Sequence, residues 1–182
     1  PHGNRGVGYS RANLFGVNAR IFRISFSGEL AYEVNVESDN GNFMWEKIIE
    51  IGKDFDLQPY GTEALSTLRI EMGHVAGSEL DGRTIPYDTG LDGLVSKKKD
   101  FIGKRSLLKK AYNEKDRQRL VGVVPLDKKT SIPEGSHLVK DPKGKLPNPK
   151  LGHISASCWS VEHNNPFSLA ILKDGKNMIG SK

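Results

Sequence analysis

Apolar and polar residues alternate twice in the first third of the chain. In RIFRISF, Phe22, Ile24 and Phe26 alternate with Arg23 and Ser25; in LAYEVNV, Tyr32, Val34 and Val36 share one face while Ala31, Glu33 and Asn35 share the other. A period of two marks a half-buried strand. The turn Ser27-Gly28-Glu29 between the two runs predicts a hairpin. Structure is expected to begin near Ala19, because 1–18 shows no clear period and reads as a loop or disordered leader.

The period then lengthens. Asp39 or Asn40 is placed to cap a helix in which Trp45, Ile48 and Ile49 form a stripe, and Gly52 is placed to close it. Thr62 precedes a second helix, with Ala64, Leu65, Leu68 and Met72 on one face and Gly73 at the carboxy-terminal cap. GSELDGRTIPYDTGLDG is dense in Gly, Pro and Asp and predicts a long structured loop. A short basic helix is expected between Phe101 and Tyr112.

Beyond Arg119 the runs LVGVV, SHLVK, LGHISASCWSV and FSLAILK are separated by turn-rich stretches. That pattern predicts a small antiparallel β unit. The expected division is a leader over 1–18, an α+β part over 19–116 and a β part over 117–182.

Composition narrows the class. With 36% hydrophobic and 27% charged residues in 182, the chain has the makings of a globular core. No apolar run approaches the roughly 20 residues needed to cross a bilayer, and no leader of the secretory kind opens the chain. A single cysteine, Cys158, excludes an internal disulfide framework and fits a reducing, cytoplasmic setting. The chain opens at Pro1 in a glycine-rich stretch, which is read as the start of a piece of something larger.

Candidate chemistry is sparse. His2, His74, His137, His153 and His163 lack the close spacing of a structural zinc site, so no metal is expected. Cys158 sits in a strand-like run beside Trp159 and reads as a small core residue. Neither a G-x-S-x-G elbow nor a Walker loop occurs. The net charge of +5 centres on Lys97, Lys98, Lys99, Lys104, Arg105, Lys109 and Lys110. Their irregular spacing, with few interleaved aromatics, predicts a solvated basic face rather than a nucleic-acid site. Glu33 is the acid of interest. Mid-strand, it is either a solvent-facing residue of a half-exposed sheet or a cavity carboxylate that accepts two parallel N–H bonds from a pterin- or guanine-like edge.

The ordered series Phe26-Ser27-Gly28-Glu29-Leu30-Ala31-Tyr32-Glu33, Leu68-Arg69-Ile70-Glu71-Met72-Gly73, Ile85-Pro86 to Gly90-Leu91, and Asp100-Phe101-Ile102-Gly103 resembles the glycine-cleavage T-protein, or aminomethyltransferase, family. Within that family SFSGEL, PYGTEAL, VSKKKDFIGKRSL and RQRLVGVVPLD are most similar to the carboxy-terminal part of sarcosine oxidase alpha subunits. The resemblance implies the second half of a tetrahydrofolate-binding module: a ferredoxin-like α+β part over 19–116, then a small antiparallel β-barrel over 117–182, incomplete here. It implies a fragment of an oxidoreductase that demethylates sarcosine and passes the one-carbon unit to tetrahydrofolate. FAD, FMN and NAD would belong to the parent assembly outside this chain, and other subunits would be the partners, with no nucleic acid and no membrane. By the same resemblance the fragment is inactive alone.

The motif matches place Glu33 at the position that holds the pterin edge, Phe26 where aminomethyltransferases carry Tyr, and His74 where an aromatic residue lines the folate cavity. No catalytic residue is carried over, since the family's one-carbon-transfer acid lies in the other half of the module. The Arg that holds the folate's acidic tail aligns with Leu65. An aminomethyltransferase or other folate-dependent demethylase is the alternative enzyme; a non-catalytic module docking a partner through the basic loop is the alternative outside enzymology.

Overall fold

Period-two patterning produces strands earlier than expected. The computed structural model describes residues 8–181, and its first element is strand β1 (Gly8–Leu14). The part of the predicted leader within the described residues is therefore a strand and a turn; 1–7 lie outside them. YSRANL alternates aromatic, polar and small residues, so its period carried no hydrophobic contrast. β1 pairs antiparallel with β2 (Val17–Arg23), closing from Gly8 opposite Arg23 to Leu14 opposite Val17. The turn is Phe15-Gly16, both at positive φ, 53° and 86°. That is the backbone of a two-residue type I′ hairpin, and the glycine takes the second left-handed position without strain. The Asn13 side-chain oxygen accepts the Gly16 N–H at 3.0 Å.

The expected hairpin follows as β2 with β3 (Glu33–Asn35), registered Phe22 opposite Glu33, Ile21 opposite Val34 and Arg20 opposite Asn35. The connection is the whole of 24–32 rather than a tight Ser27–Glu29 turn. The sheet order is β1-β2-β3.

Helix α1 (Gly41–Gly52) forms where predicted, but Met44 is the buried side chain and Trp45 is 56% exposed. Asn40 is its N-cap residue and makes no side-chain cap bond. Gly52 is the last residue of α1 without being a left-handed cap, since its φ is −60° and a 3-10 turn follows over Lys53–Phe55; a side chain is excluded there by Leu57. A Cβ there would lie 2.6 Å from Leu57 Cβ, and the Leu57 N–H donates to the Gly52 carbonyl at 2.9 Å.

Helix α2 (Thr62–Met72) ends in a Schellman motif. Gly73 has φ 72°, the His74 N–H donates to the Arg69 carbonyl at 2.8 Å and the Gly73 N–H to the Ile70 carbonyl at 3.0 Å. The predicted stripe is corrected: Arg69 and Ile70 are buried, while Ala64 and Met72 are exposed.

The chain divides between Leu68 and Arg69, within α2, into two compact units. In the second unit a four-stranded antiparallel sheet runs β4-β7-β6-β5, from β4 (Arg119–Val123), β5 (His137–Val139), β6 (Lys150–Ser160) and β7 (Asn165–Leu172). All four predicted strands are present. The expected barrel is not closed among the described residues: β4 and β5 are free edges, β5 is short, and its register with β6 shifts between Leu138 and Val139. Ile70, Ala156 and Leu169 form the core of this unit, with Leu120, Cys158 and Phe167 packed against them. Two short helices complete it, α3 (Lys104–Leu107) and α4 (Gly175–Met178). The fold is thus mixed α and β with two antiparallel sheets. No helix among the described residues is long and apolar enough to cross a membrane.

Candidate functional site

The first sheet has two unlike faces because its side chains alternate. On one lie Ala12, Leu14, Val17, Ala19, Ile21 and Val34, all at least partly buried. The other carries the functional candidates. Tyr9, Phe22 and Glu33 are successive partners across β1, β2 and β3, so their side chains form one row. The Tyr9 and Phe22 rings lie 5.1 Å apart at 40°, a tilted aromatic pair. Glu33 ends the row and is exposed. Its carboxylate therefore has acceptor positions open beside an aromatic surface. A planar ligand can lay its π-face on such rings while its N–H edge meets the carboxylate. In the first unit taken by itself the solvent-facing reading of Glu33 describes its geometry, and the aromatic row is what makes the position suited to a flat heterocycle.

One step along the same face, two residues away on each strand, is a polar row of Arg11, Arg20 and Asn35, followed by Asn13 opposite Asn18. These residues line a groove of about 600 Å³. Tyr9, Arg11 and Arg20 escaped the sequence reading. The cross-strand register that brings them to Glu33's face becomes visible once the Phe15-Gly16 turn is recognised.

Phe26 lies in the 24–32 connection and is 39% exposed. His74 belongs to the second unit, is exposed and follows the Schellman glycine. The row on the first sheet is complete without either.

The long loop of the second unit is structured, as its Gly, Pro and Asp content predicts, and two buried acids hold it. Glu79 and Asp88 have no exposed surface. Glu79 accepts from Arg69 Nη1 at 3.0 Å and from the Ala76 N–H at 2.9 Å. Asp88 accepts two 2.7 Å bonds from Arg117 and a 3.0 Å bond from the Ile85 N–H. Buried charges persist only when paired and hydrogen-bonded, so these are structural groups. The same helix carries Glu71, one of whose oxygens is buried with no hydrogen-bond partner.

Other titratable groups are shifted in recognisable ways. Burial, with the Glu71 charge adding to it, pushes the Cys158 thiol up, away from a reactive thiolate. Burial, reinforced by Lys150 and Arg83, lowers His153. Lys97, Lys98, Lys99, Arg105, Lys109 and Lys110 are exposed and Lys104 is half-buried, so the basic run is a solvated face.

A model of the GCVT N-terminal domain family matches residues 7–99. The chain is 42% identical over 174 residues to sarcosine oxidase subunit alpha of Rhizobium meliloti (strain 1021), covering 93% of this chain and 18% of that protein. It is 41% identical over 168 residues to the same subunit of Corynebacterium sp. (strain P-1), covering 91% of this chain and 17% of that protein. An aminomethyltransferase of Thermoanaerobacter pseudethanolicus (strain ATCC 33223 / 39E) is 30% identical over 171 residues, covering 93% of this chain and 44% of that protein. The chain thus spans less than a fifth of the length of the first two relatives and less than half of the third.

Proposed function

Because this chain belongs to the GCVT N-terminal domain family, we propose that it is the tetrahydrofolate-binding part of a sarcosine oxidase alpha subunit. The enzyme it serves demethylates sarcosine oxidatively to glycine, and the one-carbon unit passes to tetrahydrofolate. Identities of 42% and 41% to proteins named as that subunit, against 30% to an aminomethyltransferase, support this branch of the family. Phe26 in place of the hairpin Tyr, and Leu65 in place of the tail-binding Arg, favour it further. Its partners are the other subunits of the oxidase. FAD, FMN and NAD act elsewhere in that assembly, and the chain alone does not oxidise sarcosine.

The observation that carries the reading is the Tyr9–Phe22–Glu33 row on the open face of the first sheet. When bound, tetrahydrofolate supplies the nitrogens that accept the one-carbon unit. Glu33 holds the ligand by accepting N–H bonds from the amino-pyrimidinone edge, and it orients the ring by accepting two in parallel. Phe22 and Tyr9 offer an apolar surface beside it, and Phe26, in the neighbouring connection, contributes packing without a hydroxyl bond.

The deciding measurement is calorimetric titration of the assembled enzyme with tetrahydrofolate, parent against Glu33→Gln. Weakened binding is expected, with the flavin reaction kept. Equal affinity in the two proteins removes Glu33 from the site and the folate reading with it.

A further inference from the structure

Arg11 and Arg20 stand directly opposite each other on β1 and β2, with side chains on the same exposed face. Like charges in that relation destabilise a strand pair. Among the ion pairs of the described residues none involves either arginine. Arg11 is nonetheless positioned: its Nε donates to the Tyr9 hydroxyl at 2.8 Å, and the Tyr9 ring packs on Phe22. That bond uses one donor of the guanidinium and leaves the two terminal nitrogens for another acceptor. Both arginines line the groove of about 600 Å³ together with Asn13, Asn18 and Asn35, whose side-chain amides can donate to the same kind of oxygen. Glu37 lines the groove as well and is exposed.

We propose that the Arg11–Arg20 pair is a binding site for a small dianion with oxygen acceptors, a dicarboxylate or a phosphate. An anion between the two guanidiniums converts the cross-strand repulsion into two sets of charge-assisted bonds. The planar fork of each arginine matches a carboxylate or phosphate edge in bidentate fashion. The pairing is the mark of the site: two cations stand directly opposite each other, and among the ion pairs of the described residues neither is matched by a carboxylate, although Glu37 lines the same groove.

The test uses the full chain at low salt. Glutarate and inorganic phosphate are titrated calorimetrically, and thermal melts are followed against sodium chloride at matched ionic strength. Saturable binding of at least one anion is expected, with a rise in Tm beyond the chloride control. Glutarate alone acting identifies a dicarboxylate ligand; phosphate alone acting identifies a phosphoryl ligand. Arg20→Gln should weaken binding about tenfold or more, the loss of one charge-assisted bond, and without anion it should melt at or above the parent. Chloride-like responses to both anions overturn the proposal, as does unchanged affinity in folded Arg20→Gln or a fall in its anion-free Tm. Anion binding is read on the full chain and folate binding on the assembled enzyme with Glu33→Gln, so failure of this site and failure of the folate reading give different results.

Discussion

Arg117 grips Asp88 with two parallel bonds, Nε to one carboxylate oxygen and Nη2 to the other, both at 2.7 Å, and the carboxylate is fully buried. The guanidinium also lies 5.0 Å from the Tyr112 ring centroid. The Asp88 carbonyl accepts the Leu120 N–H at 2.6 Å, so one residue ties the long loop to the start of β4 through both side chain and backbone. Removing only the cation strands a buried charge. Arg117→Ala should cost about 3–5 kcal/mol, read by urea denaturation of the full chain. Adding Asp88→Asn to that variant should recover part of the loss, since the uncompensated charge is gone.

Glu33→Gln makes a contrasting prediction, because the group is exposed and no packing depends on it. Stability should change by less than about 0.5 kcal/mol, while tetrahydrofolate affinity of the assembled enzyme falls about 30- to 1000-fold. Sarcosine oxidation should continue, with released formaldehyde replacing methylenetetrahydrofolate at a given folate concentration. Product analysis by chromatography checks this.

Gly152 sits where β6 meets β7 so closely that an added Cβ would lie 2.3 Å from the Ile171 carbonyl oxygen. The contact is backbone, which has little room to give. Gly152→Ala should therefore destabilise by about 1–3 kcal/mol or more. A melt within a degree of the parent would show that the two strands can separate locally at no cost.

His153 predicts a pH dependence. It pairs across strands with His137, and burial, Lys150 and Arg83 lower its pKa from the ordinary 6.5, against an opposing pull from Asp81. A lowered folded-state value means that the unfolded chain binds the proton more readily. Stability is therefore fully present above the unfolded value and declines as pH falls below about 6.5 toward the folded value. His153→Asn should flatten the dependence of Tm on pH in that window, measured at constant ionic strength.

The basic run should be dispensable for folding. Lys97, Lys98 and Arg105 are exposed and make no ion pair among those of the described residues. Replacing all three with Ser should shift stability by less than about 1 kcal/mol. Lys104 is left out because its Nζ donates to the Lys99 carbonyl at 3.0 Å.

Much of the fold was legible because local patterning and burial agree. The β6 and β7 runs alternate or are continuously apolar and become strands of the second sheet. Gly73 closes α2 in the left-handed conformation that its position implies. Trp45 misled because helical spacing identifies a stripe without saying which side is covered, and Met44 is the residue that packs inward. β1 was missed because its residues alternate without hydrophobic contrast.

The candidate site divides along the same line. Sequence alone singled out Glu33 as the candidate acid, since a carboxylate inside an alternating run is visible wherever the strand begins and ends, but it gave no sign of Tyr9, Arg11 and Arg20. It could not determine the company Glu33 keeps. That depends on register, and register in the first sheet is set by a turn at Phe15-Gly16 and a pairing that starts at Gly8. A shift of one residue would send Arg11, Arg20 and Phe22 to the covered face. Only the tertiary structure decided that Tyr9, Phe22 and Glu33 stand in one row and that two arginines face each other beside it, because cross-strand neighbours are fixed by hydrogen-bond pairing between segments distant in sequence.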